Sequence, residues 1–425
     1  MSETLRFPHE DDDAAANDRA VVASADAAPA DTVRPIIDDR TRLLYGLPAV
    51  MCWVIGLRVL LFLVGVLSIQ ISPDRYQTEA ATGHPWVAWD GHHYLNLILH
   101  GYATSMEDKH SPFYDIAYFP LYPAFCRPLT QLMSPESAMV LVANFCSVVG
   151  FLFFYLWFRG FAGAKKAFLA TLFMATFPGA VFFSAGLTEG PFFMMVALAL
   201  WLLQHKMIYR AAIVSGLATL LRPTGIALAI AIGFWALFQY WKLPVPAWQR
   251  LGRAMLIGLV SISGGLMYEA FLWHRYQTPT AYLKAQEYWE RDEKVKDALQ
   301  DGHLGPRRYS PQWFVNRAQT PQAWNRAIAL LIVAVMLAGF IRPGPIPRVL
   351  FLLPLVIFLM TYLPNNGLRA SSIIRYETAG LPVFALAAFW LSQRSMRPLM
   401  VAFMCLQFAL QMYYAVLFSR GVWVG

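Results

Sequence analysis

The chain has 425 residues, of which 57% are hydrophobic and only 14% are charged, and its formal net charge is +8. A soluble globular domain carries about 25% charged residues, so this composition excludes one. The four cysteines have no paired spacing and lie in or beside apolar runs, which favours buried thiols over a disulfide framework or a zinc site. Lysine and arginine form no stripe with interleaved aromatic residues, so nucleic acid is not a predicted partner.

Residues 1–42 differ from the rest of the chain and are predicted to form a disordered, acidic cytoplasmic tail. They hold five arginines against ten acidic residues, including Asp11, Asp12 and Asp13, and show no apolar periodicity. They also lack the basic start and short apolar core of a signal peptide. Residues 43–425 are predicted to form a single transmembrane domain, which carries the whole basic excess of the chain.

Apolar runs after the tail predict an all-α polytopic membrane protein with about eleven transmembrane helices. The predicted spans are 44–69, 138–158, 167–185, 190–204, 211–222, 224–241, 254–274, 323–341, 349–363, 376–393 and 398–418. The two short runs within 211–241 leave a second interpretation open, in which they form one bent hairpin interrupted at Arg222-Pro223.

The connections between these spans alternate in charge. One set carries twelve lysines and arginines and no acidic residue, whereas the opposite set holds nearly all the acids outside the tail. By the positive-inside rule the basic connections are cytoplasmic. We therefore expect a multi-pass protein of a bacterial cell membrane whose acidic loops, and whose active site, face the extracytoplasmic side.

Two outward loops, at about 70–137 and 275–322, are long enough to carry function on a rigid bundle. In the first, WVAWDGHHYLNLILHGY has apolar residues at helical spacing, which predicts a short interfacial helix with Trp86, Trp89 and Tyr102 at headgroup level. The following AYFPLYPAFCRPL contains three prolines and cannot form a regular span. We expect it to re-enter against the bundle.

Ordered motifs resemble the PIG-V-type mannosyltransferases of the GT-C glycosyltransferase superfamily. WDGHHYLNLILHGY, followed by AYFPLYP, is similar to the family's aspartate-histidine element, its HGY and its proline-aromatic element. FFSAGLTEGPFF, ATLLRPTG, AYLKAQEYW and RYETAGLPVF resemble four further family stretches, and the matches span nearly the whole membrane region. The resemblance implies a GT-C-like fold and transfer of a sugar, commonly mannose, from a polyprenyl-phosphate-linked donor to a lipid-linked or surface glycan acceptor among the membrane lipids.

The resemblance makes Asp90 the general base, which takes the proton of the acceptor hydroxyl as that hydroxyl attacks the anomeric carbon. Independently, Asp90 lies between Trp89 and an apolar helix at the membrane surface, where partial desolvation raises the basicity of a carboxylate. The residues alone also allow another interpretation, in which Asp90 only caps the helix that begins at Gly91. The family match favours the base.

Further residues are predicted to bind substrate. His93 and Tyr94 match the family's histidine and aromatic positions, and Tyr118 lies in AYFPLYP. One helical turn separates His93 from Asp90, so His93 is expected to orient the acceptor or to hydrogen-bond the carboxylate. Gln286 and Trp289, in AYLKAQEYW, are predicted to wall the sugar.

Three charged residues near the outer surface are also candidates. Glu189 lies at the outer end of a predicted span, where burying a carboxylate costs free energy, so a functional role is expected. The alternative is that Glu189 is there only because a helix N-terminus stabilises a negative charge. Arg222, which lies deep at the break between two helices, and Arg375 offer planar guanidinium groups that suit a lipid phosphate. For Arg375 the alternative is snorkelling to lipid headgroups. His92 interrupts the Asp-x-Asp pattern by which other GT-C enzymes hold metal, so no metal ion or other cofactor is predicted.

Other functional classes fit the sequence less well. A lipid flippase or secondary transporter is expected to carry ionisable residues in mid-span and two similar halves, whereas the predicted spans are nearly free of charge, Arg58 being one exception. A polysaccharide polymerase or ligase shares the outer-face chemistry but is expected to have an arginine-rich outer loop, and loop 275–322 is mixed in sign. The sequence therefore favours a glycosyltransferase.

Overall fold

The computed structural model describes residues 43–71, 84–104, 113–290, 321–362 and 372–424. Its α-helices in chain order are α1 (Leu47–Ile71), α2 (Asp90–His100), α3 (Leu121–Cys126), α4 (Pro135–Ala162), α5 (Ala164–Ala175), α6 (Glu189–Gln204), α7 (Ile208–Thr219), α8 (Gly225–Trp241), α9 (Ala247–Tyr276), α10 (Ala281–Glu290), α11 (Pro321–Ile341), α12 (Leu352–Tyr362), α13 (Ile373–Tyr376), α14 (Leu381–Leu391) and α15 (Arg397–Ser419). The acidic tail lies outside the described residues.

Within the described ranges, five helices are long and apolar enough to cross a membrane: α1, α4, α9, α11 and α15. The outer faces of α1 and α9 expose large apolar side chains, among them Leu63, Leu67, Leu259 and Met267. Such continuous apolar faces suit lipid rather than water. The chain is therefore an all-helical, multi-pass membrane protein.

The other six predicted spans coincide with helices of only 11 to 17 residues. At 1.5 Å per residue these helices are shorter than about 30 Å of hydrocarbon, so an unaided crossing by each of them stays a prediction. The predicted interruption between two helices at Arg222-Pro223 is confirmed, because α7 ends at Thr219 and α8 begins at Gly225.

Two predicted spans extend well beyond the α-helices that the structure shows. Span 167–185 is α-helical only to Ala175, because Phe177 is extended ahead of a proline and a 3-10 turn runs from Pro178 to Phe183. Span 376–393 becomes α-helical only at Leu381, after the 3-10 turn Glu377–Ala379. Both 3-10 turns are buried, and the second begins two residues after Arg375.

The centre of the bundle is the close pair α4 and α6. A Cβ at Gly190 would overlap the carbonyl oxygen of Ala143, so only glycine lets these two helices approach so closely. Around the contact, Phe151 packs edge-on against Phe193 at 4.7 Å between ring centroids. This tight packing fixes the start of α6, and with it Glu189, against the rest of the bundle.

The described parts of the predicted first outer loop are folded onto the bundle. The predicted interfacial helix exists as α2, and the proline-rich segment forms the short helix α3 followed by the 3-10 turn Arg127–Gln131, so it is no regular span. Trp86 was wrongly expected at headgroup level. It is fully buried, donates its indole N–H to the carbonyl of Phe62 at 3.3 Å and stacks on Phe418.

Helix α9 supports the first outer loop from the side. The hydroxyl of Tyr268 donates to the carbonyl of Ile116 at 2.7 Å, and the hydroxyl of Tyr276 donates to that of Ala103 at 2.7 Å. Both tyrosines are buried. The long helix thereby holds the loop segments on either side of residues 105–112 in a fixed position.

Sidedness is testable with reporter fusions. Fusions after Lys165, Arg250 and Arg394 are expected to report the cytoplasm, and a fusion after Asp301 the outer side, because the basic connections follow the positive-inside rule. Alkaline phosphatase and green fluorescent protein provide complementary readouts. A cytoplasmic signal after Asp301 would contradict the proposed orientation of the loops.

Candidate functional site

Asp90 is the first residue of α2, and the backbone around it is shaped to bring it against the bundle. The preceding Trp89 has φ +56°, a conformation that bulky residues rarely adopt, where the chain turns into the helix. The amide of Gly186 donates to the carbonyl of Trp86 at 2.7 Å. This hydrogen bond ties the segment before Asp90 to the loop that leads into Glu189.

The central feature is a chain of ion pairs built from four side chains of four segments. Arg375 Nη1 lies 2.6 Å from Asp90 Oδ2, and Arg375 Nε donates to Glu189 Oε1. Arg222 Nη1 donates to the same Glu189 Oε1 at 2.9 Å. Helix α2, helix α6, the break between α7 and α8, and helix α13 therefore meet at one place.

The four side chains of this ion-pair chain differ in exposure to solvent. Glu189, Arg222 and Arg375 are buried, whereas the side chain of Asp90 is 30% exposed. The two arginines balance the two carboxylates, which offsets the cost of burying Glu189, Arg222 and Arg375 in the low-dielectric interior. Asp90 is thus the one member of the ion-pair chain that an incoming molecule reaches from the outer loop.

The environment of Asp90 sets its basicity. Burial raises the pKa of Asp90, but the charge and hydrogen bond of Arg375, together with His93 and Tyr118, hold that pKa below the ordinary value of an aspartate. The expected gain in basicity from desolvation is therefore wrong for this resting arrangement, because the expectation did not include the arginine. Asp90 is an ionised carboxylate here.

Tyr118 donates its hydroxyl to Asp90 Oδ1 at 3.1 Å. Burial and the neighbouring Asp90 charge raise the pKa of Tyr118 well above that of a free tyrosine, so the hydroxyl stays a donor. Tyr94, also predicted to bind substrate, is buried and packs edge-on against Tyr118 and Tyr122 at 5.1 Å. Tyr94 therefore supports the site from behind rather than lining its open side.

The second interpretation of Asp90, that of a simple helix cap, is not supported. The N-cap position of α2 is Trp89, and the helix has no side-chain cap hydrogen bond. Both oxygens of Asp90 are instead engaged by Tyr118 and Arg375. The carboxylate is held by tertiary contacts.

Aromatic rings surround both arginines. Arg222 lies 4.9 Å from the ring centroid of Tyr376 and 5.4 Å from that of Phe192. Arg375 lies 5.4 Å from the ring centroid of Trp423 and 5.7 Å from that of Phe182. The rings hold the guanidinium groups in place by cation–π contact and shield them from water. Neither arginine snorkels, since both are buried and paired with carboxylates.

His93 has a partner that the sequence analysis missed. Its Nδ1 lies 2.7 Å from Oδ1 of Asp115, and the second oxygen of Asp115 accepts a hydrogen bond from Asn96. The imidazole also stacks on Tyr118 at 4.6 Å between ring centroids. Asp115 is buried in the 3-10 turn Phe113–Ala117, and its place three residues before Tyr118 was the available signal.

Gln286 and Trp289 belong to α10, but their side chains lie outside the described residues. Their predicted contact with sugar stays a prediction. Among the described residues no group of three or more His, Cys, Asp or Glu side chains is arranged to hold a metal ion.

Glu377, two residues after Arg375, is fully buried, and neither of its carboxylate oxygens has a hydrogen-bond partner among the described residues. A buried carboxyl group without a partner is stable only in its neutral form. Glu377→Gln, which is also neutral and of the same size, is expected to keep the thermal unfolding temperature in detergent within about 2 °C of the wild type. A large fall would show that the carboxyl group makes a contact that the amide does not replace.

Comparison with known proteins gives a distant structural likeness only. No family model and no curated protein matches the chain. The apo oligosaccharyltransferase of Archaeoglobus fulgidus superposes with a TM-score of 0.46 at 12% identity over 88% of this chain and 56% of that one. Its complex with zinc and sulfate gives a TM-score of 0.41 at 12% identity over 86% and 53%. This chain spans about half the length of that enzyme. With TM-scores below 0.5, the likeness carries no information about the site around Asp90.

Proposed function

We propose that the protein is a membrane glycosyltransferase that transfers a hexose from a polyprenyl-phosphate-linked donor to a lipid-linked or surface glycan acceptor on the outer face. The observation that supports this best is the partly exposed carboxylate of Asp90 directly beside the buried guanidinium of Arg375, which shares Glu189 with the buried guanidinium of Arg222. Asp90 is the general base, and the arginines bind the phosphate.

The reaction needs a base and a cationic site within a few ångströms of each other. As the acceptor hydroxyl attacks the anomeric carbon, its proton passes to the carboxylate of Asp90, and the bond from that carbon to the phosphate oxygen breaks. The lipid phosphate leaves with the electron pair and gains negative charge. A guanidinium 2.6 Å from Asp90 is well placed to stabilise that charge.

Binding of the donor is also expected to change the basicity of Asp90. Arg375 is shared between Asp90 and Glu189 in the resting structure. A phosphate that binds Arg375 competes with Asp90 for the guanidinium and so removes the strongest influence that lowers the pKa of Asp90. Donor binding thereby raises the basicity of Asp90 at the point where a base is needed.

The proposal also specifies mannose as the transferred sugar and a PIG-V-type mannosyltransferase as the kind of enzyme. They rest on the ordered motifs around Asp90, Tyr118, Glu189, Arg222 and Arg375. The structure brings these five residues, from separate motifs, into one continuous set of contacts. Asp90 and Arg375 are 285 positions apart in the chain.

A donor panel tests the function. Purified protein in nanodiscs is incubated with polyprenyl-phosphate mannose, glucose or galactose, and with octyl α-mannoside as acceptor probe. Time-dependent formation of an octyl disaccharide from one donor is the expected result, with mannose preferred. A polymerase or ligase would require an acceptor with a longer glycan, and a flippase would move the donor across a liposome bilayer without forming a glycosidic bond.

A further inference from the structure

The surroundings of Asp90 divide into two sides of different chemistry. Toward the bundle lie the guanidinium groups of Arg375 and Arg222, both buried. Toward the outer loop lie His93 and Tyr118, with Asp115 behind them. Since the arginines suit the phosphate of the donor, the outer-loop side is left for the other substrate.

We propose that His93, held by Asp115, forms an acceptor subsite in which its Nε2 accepts a hydrogen bond from a hydroxyl of the acceptor glycan. This inference rests on the proposed glycosyltransferase function. Asp115 does not touch substrate in this arrangement; it is a positioning residue that acts through His93.

The hydrogen bond between Asp115 and His93 determines which ring nitrogen accepts. A carboxylate only accepts hydrogen bonds, so the imidazole proton is drawn to Nδ1, which lies 2.7 Å from Asp115 Oδ1. In the neutral ring Nε2 is then the acceptor. Asn96 donates to the other oxygen of Asp115 and fixes the carboxylate, which is buried.

The position of His93 matches that of an acceptor contact. It follows Asp90 by three residues on α2, which places the two side chains next to each other on the helix surface. The side chain of His93 is 18% exposed and that of Asp90 30% exposed, so both are reached from the outside. The imidazole stacks on Tyr118 with an interplanar angle of 14°, and the hydroxyl of Tyr118 donates to Asp90.

These contacts couple acceptor placement to the base. A glycan hydroxyl bound at His93 is held one helical turn from Asp90, so a neighbouring hydroxyl of the same sugar comes within reach of the carboxylate. The fixed tautomer provides selectivity, because an acceptor that lacks the hydroxyl does not form the hydrogen bond to Nε2. The substrate class of the subsite is a polyhydroxylated sugar, and a phosphate is disfavoured by the carboxylates of Asp115 and Asp90.

The test separates the two sides of the site by their kinetic constants. With octyl α-mannoside as acceptor probe, His93→Gln and Asp115→Asn are expected to raise the KM for the acceptor about tenfold or more. The inhibition constant of polyprenyl phosphate, which reports the donor side, is expected to stay within about twofold of the wild type. His92→Gln, the neighbouring histidine on the same helix, is the matched control and is expected to change neither constant.

The tautomer of His93 can be measured by NMR without any enzymatic turnover. In protein labelled with ¹⁵N-histidine, the His93 resonances are expected to show protonated Nδ1 in the wild type and protonated Nε2 in Asp115→Asn, because the amide donates to Nδ1. Unchanged acceptor KM in His93→Gln and Asp115→Asn, or an equal change in His92→Gln, would overturn the subsite alone. Wild-type protein that forms no glycosidic bond with any donor of the panel would overturn the proposed function and the subsite with it.

Discussion

Asp90→Asn is expected to lower sugar transfer by about 10²–10⁴-fold, the range typical of lost general-base assistance. Asparagine keeps the size of the side chain and an oxygen that accepts from Tyr118, but it cannot accept the proton of the acceptor hydroxyl. Initial rates with saturating donor measure the effect. Asp90→Glu is expected to recover little activity, because the longer side chain moves the carboxylate relative to Tyr118 and Arg375.

Stability separates this loss from misfolding. Asp90 is partly exposed, so the amide introduced by Asp90→Asn is not a buried defect, although Arg375 loses one of its two carboxylate partners and keeps Glu189. The variant is therefore expected to reach wild-type levels in the membrane and to elute as a single species in detergent. A well-folded Asp90→Asn protein that transfers sugar at the wild-type rate contradicts the catalytic assignment.

Arg375→Lys is expected to lower kcat/KM for the donor by about 10²–10³-fold, comparable to removing one preorganised donor from a site of developing charge. A lysine ammonium is a point charge and does not reproduce the planar fork that joins Asp90 and Glu189. Arg127→Lys is the matched control, since Arg127 is an exposed arginine of the first outer loop outside the ion-pair chain. Its kinetic constants are expected to remain unchanged.

The same substitution gives a pH signature. Arg375 is the strongest influence that lowers the pKa of Asp90. With a weaker partner that pKa rises, so Asp90 stays protonated to a higher pH and the acid limb of the kcat/KM profile moves toward neutrality. An acid limb that stays in place, or a variant as active as Arg127→Lys, argues against Arg375 as the partner of the base.

The sequence was sufficient for the helical architecture and for several residues that the structure brings into contact. Long apolar runs are stable in a bilayer as helices, so α1, α4, α9, α11 and α15 could be predicted with their ends within about seven residues. Motif order also pointed to Asp90, Glu189, Arg222 and Arg375, which the structure then joins through ion pairs.

What the sequence could not show was which partner each charge takes. Arg222 and Arg375 were expected to need an external anion, but helix α6 starts with Glu189 between them, and only the tertiary packing at Gly190 determines that position. Asp115 was overlooked for the same reason, because Asp115 and His93 are 22 positions apart in the sequence and meet only in the folded protein. Helix ends were missed where Pro178 and the turn after Arg375 interrupt otherwise apolar stretches.

The most direct measurement is incorporation of labelled sugar into membrane lipids. Membranes that contain wild-type protein or Asp90→Asn at equal levels are incubated with polyprenyl-phosphate [¹⁴C]mannose, and the glycolipid fraction is extracted and counted. The expected result is label in a new glycolipid in wild-type membranes and label at background in Asp90→Asn membranes. Equal label in both, or no transfer in wild-type membranes from mannose, glucose or galactose donors, would contradict the assignment of the protein as a glycosyltransferase with Asp90 as its base.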